Sequence, residues 1–171
     1  MASTTVPNGK FVQHFLAIAD QIGEVLGANV PPFVDLETLR QLPEGTLGRT
    51  LVDFLEQHNL SPLTSGPRRK QLHDSVHVLT GYGTDPIGEA EEQAFLLGAK
   101  FNPIQILLGL GLLHVIQRQS PERQPKVHQR LWRAYRRGRA SCFDIDAWQP
   151  EEQWHLPLVQ VQAIFQVSKM S

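Results

Sequence analysis

Phe11, Phe15, Ile18, Ile22 and Leu26 recur every three or four residues, the period of one helical face, and Gly27 followed by Pro31 and Pro32 closes the pattern. Asp35 is placed to cap a short helix through Leu42, and Pro43, Glu44, Gly45 and Thr46 form a turn feeding a helix that carries Leu47, Leu51, Phe54 and Leu55. Residues 61–67, with two prolines and a glycine, read as a loop. Pro67 then opens a long helix to about Thr80, with Gly81 as its stop. Thr84 or Asp85 caps the next helix, with Pro86 near its first position. Its apolar residues Ala94, Phe95, Leu96, Leu97 and Ala99 fall on several faces, as in a buried helix. Asn102 and Pro103 start an apolar segment at 104–116, Pro121 and Pro125 bracket the entry to a basic helix ending near Gly138, and Pro157 precedes a final short helix. No alternating pattern of useful length and no repeat is present. The expectation is an all-α, single-domain bundle of about seven or eight helices over residues 1–171, with residues 1–10 flexible.

Composition narrows this picture without redirecting it. Hydrophobic residues make up 41% and charged residues 19% of 171, the balance of a chain that folds around one core. A net charge of -1 supplies no overall basic field, so nucleic acid is not an expected partner. One cysteine, Cys142, excludes an internal disulfide framework. The first ten residues have neither the apolar core of a secretory signal nor an arginine-rich amphipathic pattern, and the bacterial cytosol is the simplest expected setting. The 13-residue run at 104–116 falls short of the roughly 20 residues a membrane span requires, so any membrane contact would be peripheral, at the inner face.

His73 and His77 lie four apart on a predicted helix and project from one face, and Asp74 lies three before His77. Glu89 sits one turn into the following helix, beyond the Gly81-Tyr82-Gly83 connection that can bring the two segments side by side. Two imidazoles with one or two carboxylates suit Zn²⁺, Fe²⁺ or Mn²⁺, and coordination positions would stay open to water or substrate. Asp74 is either a ligand or a partner that orients a histidine. The competing reading is equally available from spacing: histidines four apart occur by chance, and Glu89 could serve only the positive end of its helix.

Two further features carry possible chemistry. Arg118, Arg123, Lys126, Arg130, Arg133, Arg136, Arg137 and Arg139 face a single acid, Glu122, with Trp132 and Tyr135 interleaved. Such a field suits an anionic lipid surface or a phosphate or carboxylate ligand, with a solvated face as the plain alternative. The 104–116 run, including Leu107, Leu108, Leu110 and Leu112 with Gly109 and Gly111, could line a channel for a lipid tail or belong to ordinary core.

The run His73-Asp74-Ser75-Val76-His77, then eleven residues, then Glu89, resembles the H-D-x-x-H-x11-E hallmark of the ubiquinone (coenzyme Q) biosynthesis protein four family. Further similarity lies in Leu42-Pro43-Glu44-Gly45-Thr46-Leu47-Gly48, in Thr84 with Gly88-Glu89, in Ala134-Tyr135-Arg136-Arg137-Gly138-Arg139, and in Trp154 followed by Pro157. The resemblance implies an all-helical fold and a divalent metal held by His73, Asp74, His77 and Glu89, with zinc expected and magnesium, iron or manganese as alternatives. It also implies a role with polyprenylated aromatic precursors of quinones, oxidative decarboxylation at ring carbon 1, and contact with a membrane surface and with other quinone-biosynthesis proteins; a homodimer is expected as well. A non-catalytic scaffold that binds isoprenoid lipid is the rival expectation. A histidine-aspartate phosphohydrolase is a third, with only His58 and Asp144 as remote candidates for its missing ligands.

Overall fold

Helices begin where short polar side chains can satisfy free backbone amides, and a computed structural model of the chain, describing residues 29–119 and 124–167, shows how far that local rule reaches. The N-terminal amphipathic pattern of Phe11 through Leu26 lies outside the described residues. Asp35 accepts from the Glu37 amide at 3.1 Å and starts α1, Leu36–Arg40. Thr46 caps α2, Leu47–His58, whose Leu47, Leu51, Val52 and Leu55 are buried. The turn before α2 is pinned from far along the chain: Leu47 and Gly48 donate to the carbonyls of Leu156 and Trp154 at 2.8 and 3.0 Å, and Leu158 donates to Gly45 at 2.9 Å. Two segments distant in sequence, 42–48 and 154–158, thus form one structural unit.

The expected long helix over 67–80 is divided into α3, Arg68–Gln71, and α4, His73–Thr80, with Leu72 between them. The Leu72 backbone stays near-helical (φ -78, ψ -17), and amide bonds from Leu72 to Arg68 and from Val76 to Leu72 cross the break. The Gln71 side-chain amide donates to the carbonyls of Val30 and Gly66 at 2.9 and 3.2 Å, tying the end of α3 to the start of the described chain while Leu72 stays in the core. Pro67 is the residue before α3 and not its first. Gly81 adopts φ +78 and ends α4, a left-handed turn that costs glycine no side-chain clash.

Asp85, and not Thr84, caps α5, Pro86–Ala99, accepting from the Ile87 and Gly88 amides at 2.9 and 3.2 Å. Helix α5 is buried along most of its length, as its scattered apolar positions predict, and packs against α6, Pro103–Gln119, and α7, Gln124–Ala140. Where α5 and α7 cross, Gly98 faces Gly138. A Cβ on Gly98 would collide with the Tyr135 carbonyl, and one on Gly138 with the Phe95 carbonyl. A 3-10 turn, Pro150–Glu152, leads to α8, Leu158–Ile164, which packs on α2 and α4.

The main core joins Leu47, Leu51, Leu72, Val76, Leu79, Phe95, Phe143, Trp148 and Val161, while Ala90, Leu112, Ile116 and Val127 form a smaller cluster under α6. Each fully buried leucine contributes about 1.5–3 kcal/mol relative to exposure. Among the described residues there are eight α-helices and no strand, only two isolated bridges, so the protein is an all-α single domain.

Candidate metal centre

Helices α4 and α5 are joined by five residues and lie side by side. His73 and His77 face α5 one turn apart on α4, with ring centroids 4.6 Å apart and planes at 89°. From α5 come Glu89 and Glu92, also one turn apart. His77 Nε2 lies 3.3 Å from Glu89 Oε1 and 3.0 Å from Glu92 Oε2. His73 Nε2 lies 3.5 Å from Glu89 Oε2, and its Nδ1 lies 3.2 Å from Glu92 Oε2. The two Nε2 atoms are 3.2 Å apart.

These are hydrogen-bond distances, yet among the described residues all four carboxylate oxygens are buried without a hydrogen-bond partner of acceptable angle. Buried polar oxygens in that state are costly unless something else satisfies them. One donor atom from each of His73, His77, Glu89 and Glu92 falls within 4.8 Å of all the others. Ligands at 2.0–2.2 Å from a tetrahedral ion would stand about 3.3–3.6 Å apart, close to the separations seen. The donor set, its convergence and its unsatisfied oxygens fit a divalent metal.

The surroundings hold the donors still. His77 Nδ1 lies 3.2 Å from the Tyr82 carbonyl, the outer partner that fixes a ligating imidazole's orientation, and Phe54 stacks on the same ring at 5.9 Å and 16°. Burial alone disfavours charge on His73 and His77, but the carboxylates of Glu92 and Glu89 outweigh it. His73 is held well above the ordinary imidazole range and His77 is pushed up to about 10. Burial likewise works against charge on Glu89 and Glu92, and the facing imidazoles win, holding both carboxyls below the ordinary value. Of the four residues, His73 is the most open, its side chain 14% exposed against 0–1% for the rest.

Three of the four residues in the predicted ligand set are therefore brought together: His73, His77 and Glu89. Asp74 is buried beside them, its carboxyl raised by burial, and stands outside the group of four converging donors. Glu92 takes a place that sequence reasoning missed. Its signal was present, since it lies three residues after Glu89 on one helical face. His58 is exposed and contacts the Thr84 hydroxyl at 3.3 Å, while Asp144 pairs with Lys100 at 2.8 Å, so neither joins this group.

The other predicted features divide in the same way. Arg130 bonds Glu91 of α5 at 2.8 Å and Arg137 donates to the Thr80 carbonyl at 2.7 Å, whereas Arg133, Arg136 and Arg139 are exposed. On α6, Leu112 is buried, Leu108 is half-buried and Leu110 is 59% exposed, near exposed Phe101 and Ile106. Among the described residues, a Cβ on Gly109 or Gly111 would meet nothing within 4 Å. Among the described residues no helix is long and apolar enough to cross a membrane.

Comparison with known proteins places this geometry in a family. A mouse protein, the mitochondrial ubiquinone biosynthesis protein COQ4 homolog, is 33% identical over 97 residues, 43% of this chain and 36% of its own length. The human homolog is 34% identical over 107 residues, 48% of this chain and 40% of its own, and the zebrafish homolog 32% over 126 residues, 64% and 45%. The chain thus spans less than half the length of these curated relatives. A crystallised protein of Nostoc punctiforme, provisionally assigned to ubiquinone biosynthesis, shares the fold with a TM-score of 0.69 over 95% of this chain and 82% of its own, at 21% identity. The family model for Coenzyme Q (ubiquinone) biosynthesis protein Coq4 matches residues 31–171, and this chain belongs to that family.

Proposed function

We propose that the chain serves ubiquinone biosynthesis by holding a divalent ion, zinc in the first instance, between His73, His77, Glu89 and Glu92, beside a binding place for a polyprenylated aromatic precursor. The observation that carries this reading is the buried, convergent, unsatisfied donor set on α4 and α5. Once bound, such an ion supplies a Lewis-acid centre able to polarise an oxygen substituent of the ring. The chain's own residues do the rest. Glu89 and Glu92 balance the positive charge, Tyr82 and Phe54 keep His77 in one orientation, and burial excludes bulk water. Approach of a ring would be from the His73 side, the most open of the four. The reaction proposed is oxidative decarboxylation at ring carbon 1, in which the carboxyl leaves as CO₂, water supplies the hydroxyl that replaces it and dioxygen takes up the two electrons as hydrogen peroxide, with the prenyl tail along the exposed apolar face of α6 near Leu108 and Leu110.

One observation favours the scaffold reading. Four protein donors already fill a tetrahedral ion, the arrangement of structural sites, whereas catalytic zinc keeps a position open. Under catalysis, then, the ion is one of higher coordination number, such as iron, manganese or magnesium, or one of the glutamates stands aside as a base. In the same proposal the protein is a homodimer, works with other quinone-biosynthesis proteins, and rests at the inner face of a membrane through its exposed arginines. Elemental analysis of protein purified without chelators should find one divalent ion per chain, lost in His73→Ala and Glu89→Ala, and full occupancy in both variants rejects the site. Turnover of a prenylated hydroxybenzoate by loaded protein then separates enzyme from scaffold.

A further inference from the structure

The last carbonyls of a helix have no partner within it and must find one elsewhere. In α4 these belong to the ligand-bearing helix itself. The His77 carbonyl accepts from the Gly81 amide at 2.7 Å, the Leu79 carbonyl from Gln162 Nε2 of α8 at 2.9 Å, and the Thr80 carbonyl from Arg137 Nη1 of α7 at 2.7 Å. Arg137 does more than cap. Its guanidinium carbon lies 5.2 Å from the centre of the Tyr82 ring and 5.7 Å from that of Phe95, so one planar group holds residues on both sides of Gly81. Gly81, at φ +78, is the one residue between them, in a conformation that glycine adopts without side-chain strain.

This clamp bears on the centre through one atom. The Tyr82 carbonyl that meets His77 Nδ1 at 3.2 Å belongs to the residue whose ring Arg137 covers. With the guanidinium removed, the 80–82 turn loses both its hydrogen bond and its stacking partner, and the carbonyl is free to leave the imidazole. Resting on the metal reading above, we infer that Arg137 is a positioning residue for His77, acting through the Thr80–Tyr82 turn and touching neither ion nor substrate. Loss of the Tyr82 carbonyl, the outer partner of a ligating histidine, weakens metal binding by about 10–100-fold.

Cobalt(II) titration of the full chain, followed by its visible spectrum, tests this, together with the exchange rate of the His77 Nδ1 proton measured by NMR in metal-free protein. Arg137→Met should weaken Co²⁺ binding by about 10–100-fold, alter the visible bands and speed proton exchange. Arg137→Lys, which keeps a donor and a charge but not the planar stack, should fall between. Gln162→Ala removes another cap from the same helix end and should stay within about threefold of wild type in affinity, since it leaves Tyr82 alone. The inference is overturned if Arg137→Met keeps wild-type affinity, spectrum and exchange, or if Gln162→Ala loses as much, because loosening of the helix end would then suffice. Should Arg137→Met fail to fold, Arg137→Lys decides, a wild-type result overturning the inference. Wild-type protein that takes up no Co²⁺ would reject the metal reading instead, while the exchange rates still decide the role of Arg137.

Discussion

Glu92 Oε2 stands 3.0 Å from His77 Nε2, closer than either oxygen of the motif residue Glu89 comes to the same nitrogen or to His73. Glu92→Gln should therefore weaken Zn²⁺ or Co²⁺ binding by at least about tenfold, while Asp74→Asn, outside the converging group, should have the smaller effect. Competition titration against a chelator of known affinity measures both. The reverse order would return the fourth place to Asp74.

Loading of the centre should be coupled to protons. Metal-free, the carboxylates of Glu92 and Glu89 hold His77 up to about 10 against an ordinary 6.5 and raise His73 as well, favouring the protonated rings that a metal must displace. Zn²⁺ binding at about pH 7 should therefore release protons, and affinity should rise between about pH 6 and 8. Calorimetry in two buffers of different ionisation enthalpy counts them, and a count of zero would mean that the rings are neutral before binding.

The same groups set the stability of the metal-free protein. A raised histidine pKa favours the native state fully below the unfolded value of 6.5, and this contribution fades as pH climbs toward 10. The lowered carboxyls of Glu89 and Glu92 favour it above 4.5, and that contribution is lost as pH falls. Melting temperature without metal should peak between these limits and decline from neutral to alkaline pH. Substituting His73 and His77 by Gln should flatten the alkaline decline.

Gly98→Ala should cost at least about 2 kcal/mol, a fall on the order of 5 °C or more in melting temperature, because the new Cβ meets the Tyr135 backbone and no side chain can move aside. Gly109→Ala on α6 should be neutral or slightly stabilising, since its Cβ enters open space and alanine is the better helix former. Thermal unfolding of the two variants side by side checks the contrast.

Binding to anionic vesicles should depend on Arg133, Arg136 and Arg139, which are exposed, and should weaken with salt. Changing these three to Gln should lower co-sedimentation without loss of melting temperature. Changing Arg130 or Arg137 should lower the melting temperature first, since those two hold α5 and α4.

What could be read from the sequence was local. Asp85 and Pro86 announce the start of α5, Gly81 the end of α4, and the spacing of His73, His77 and Glu89 requires only that two adjacent helices lie together. What escaped depends on how those helices are rotated against others. Glu91 and Glu92 are neighbours of the same type, yet one turns to Arg130 on α7 and the other to the imidazoles, a choice made by the α5–α7 crossing at Gly98 and Gly138. The division at Leu72 escaped for a similar reason, since the partner of the Gln71 side chain is the distant Val30 carbonyl. The basic run read as one face because charge alone does not distinguish Arg137, half-buried beside two aromatic rings, from exposed Arg136.

The caps on α4 also set an order of assembly. Every converging donor lies between His73 and Glu92, yet the groups that complete the helix end are Arg137, 57 residues beyond Thr80, and Gln162, 83 residues beyond Leu79. Contacts so distant along the chain form late, after their loop-closure entropy has been met. On the ribosome the donors emerge well before the residues that hold them, so a nascent chain halted ahead of α7 carries all four candidate donor side chains without the caps that complete their helix.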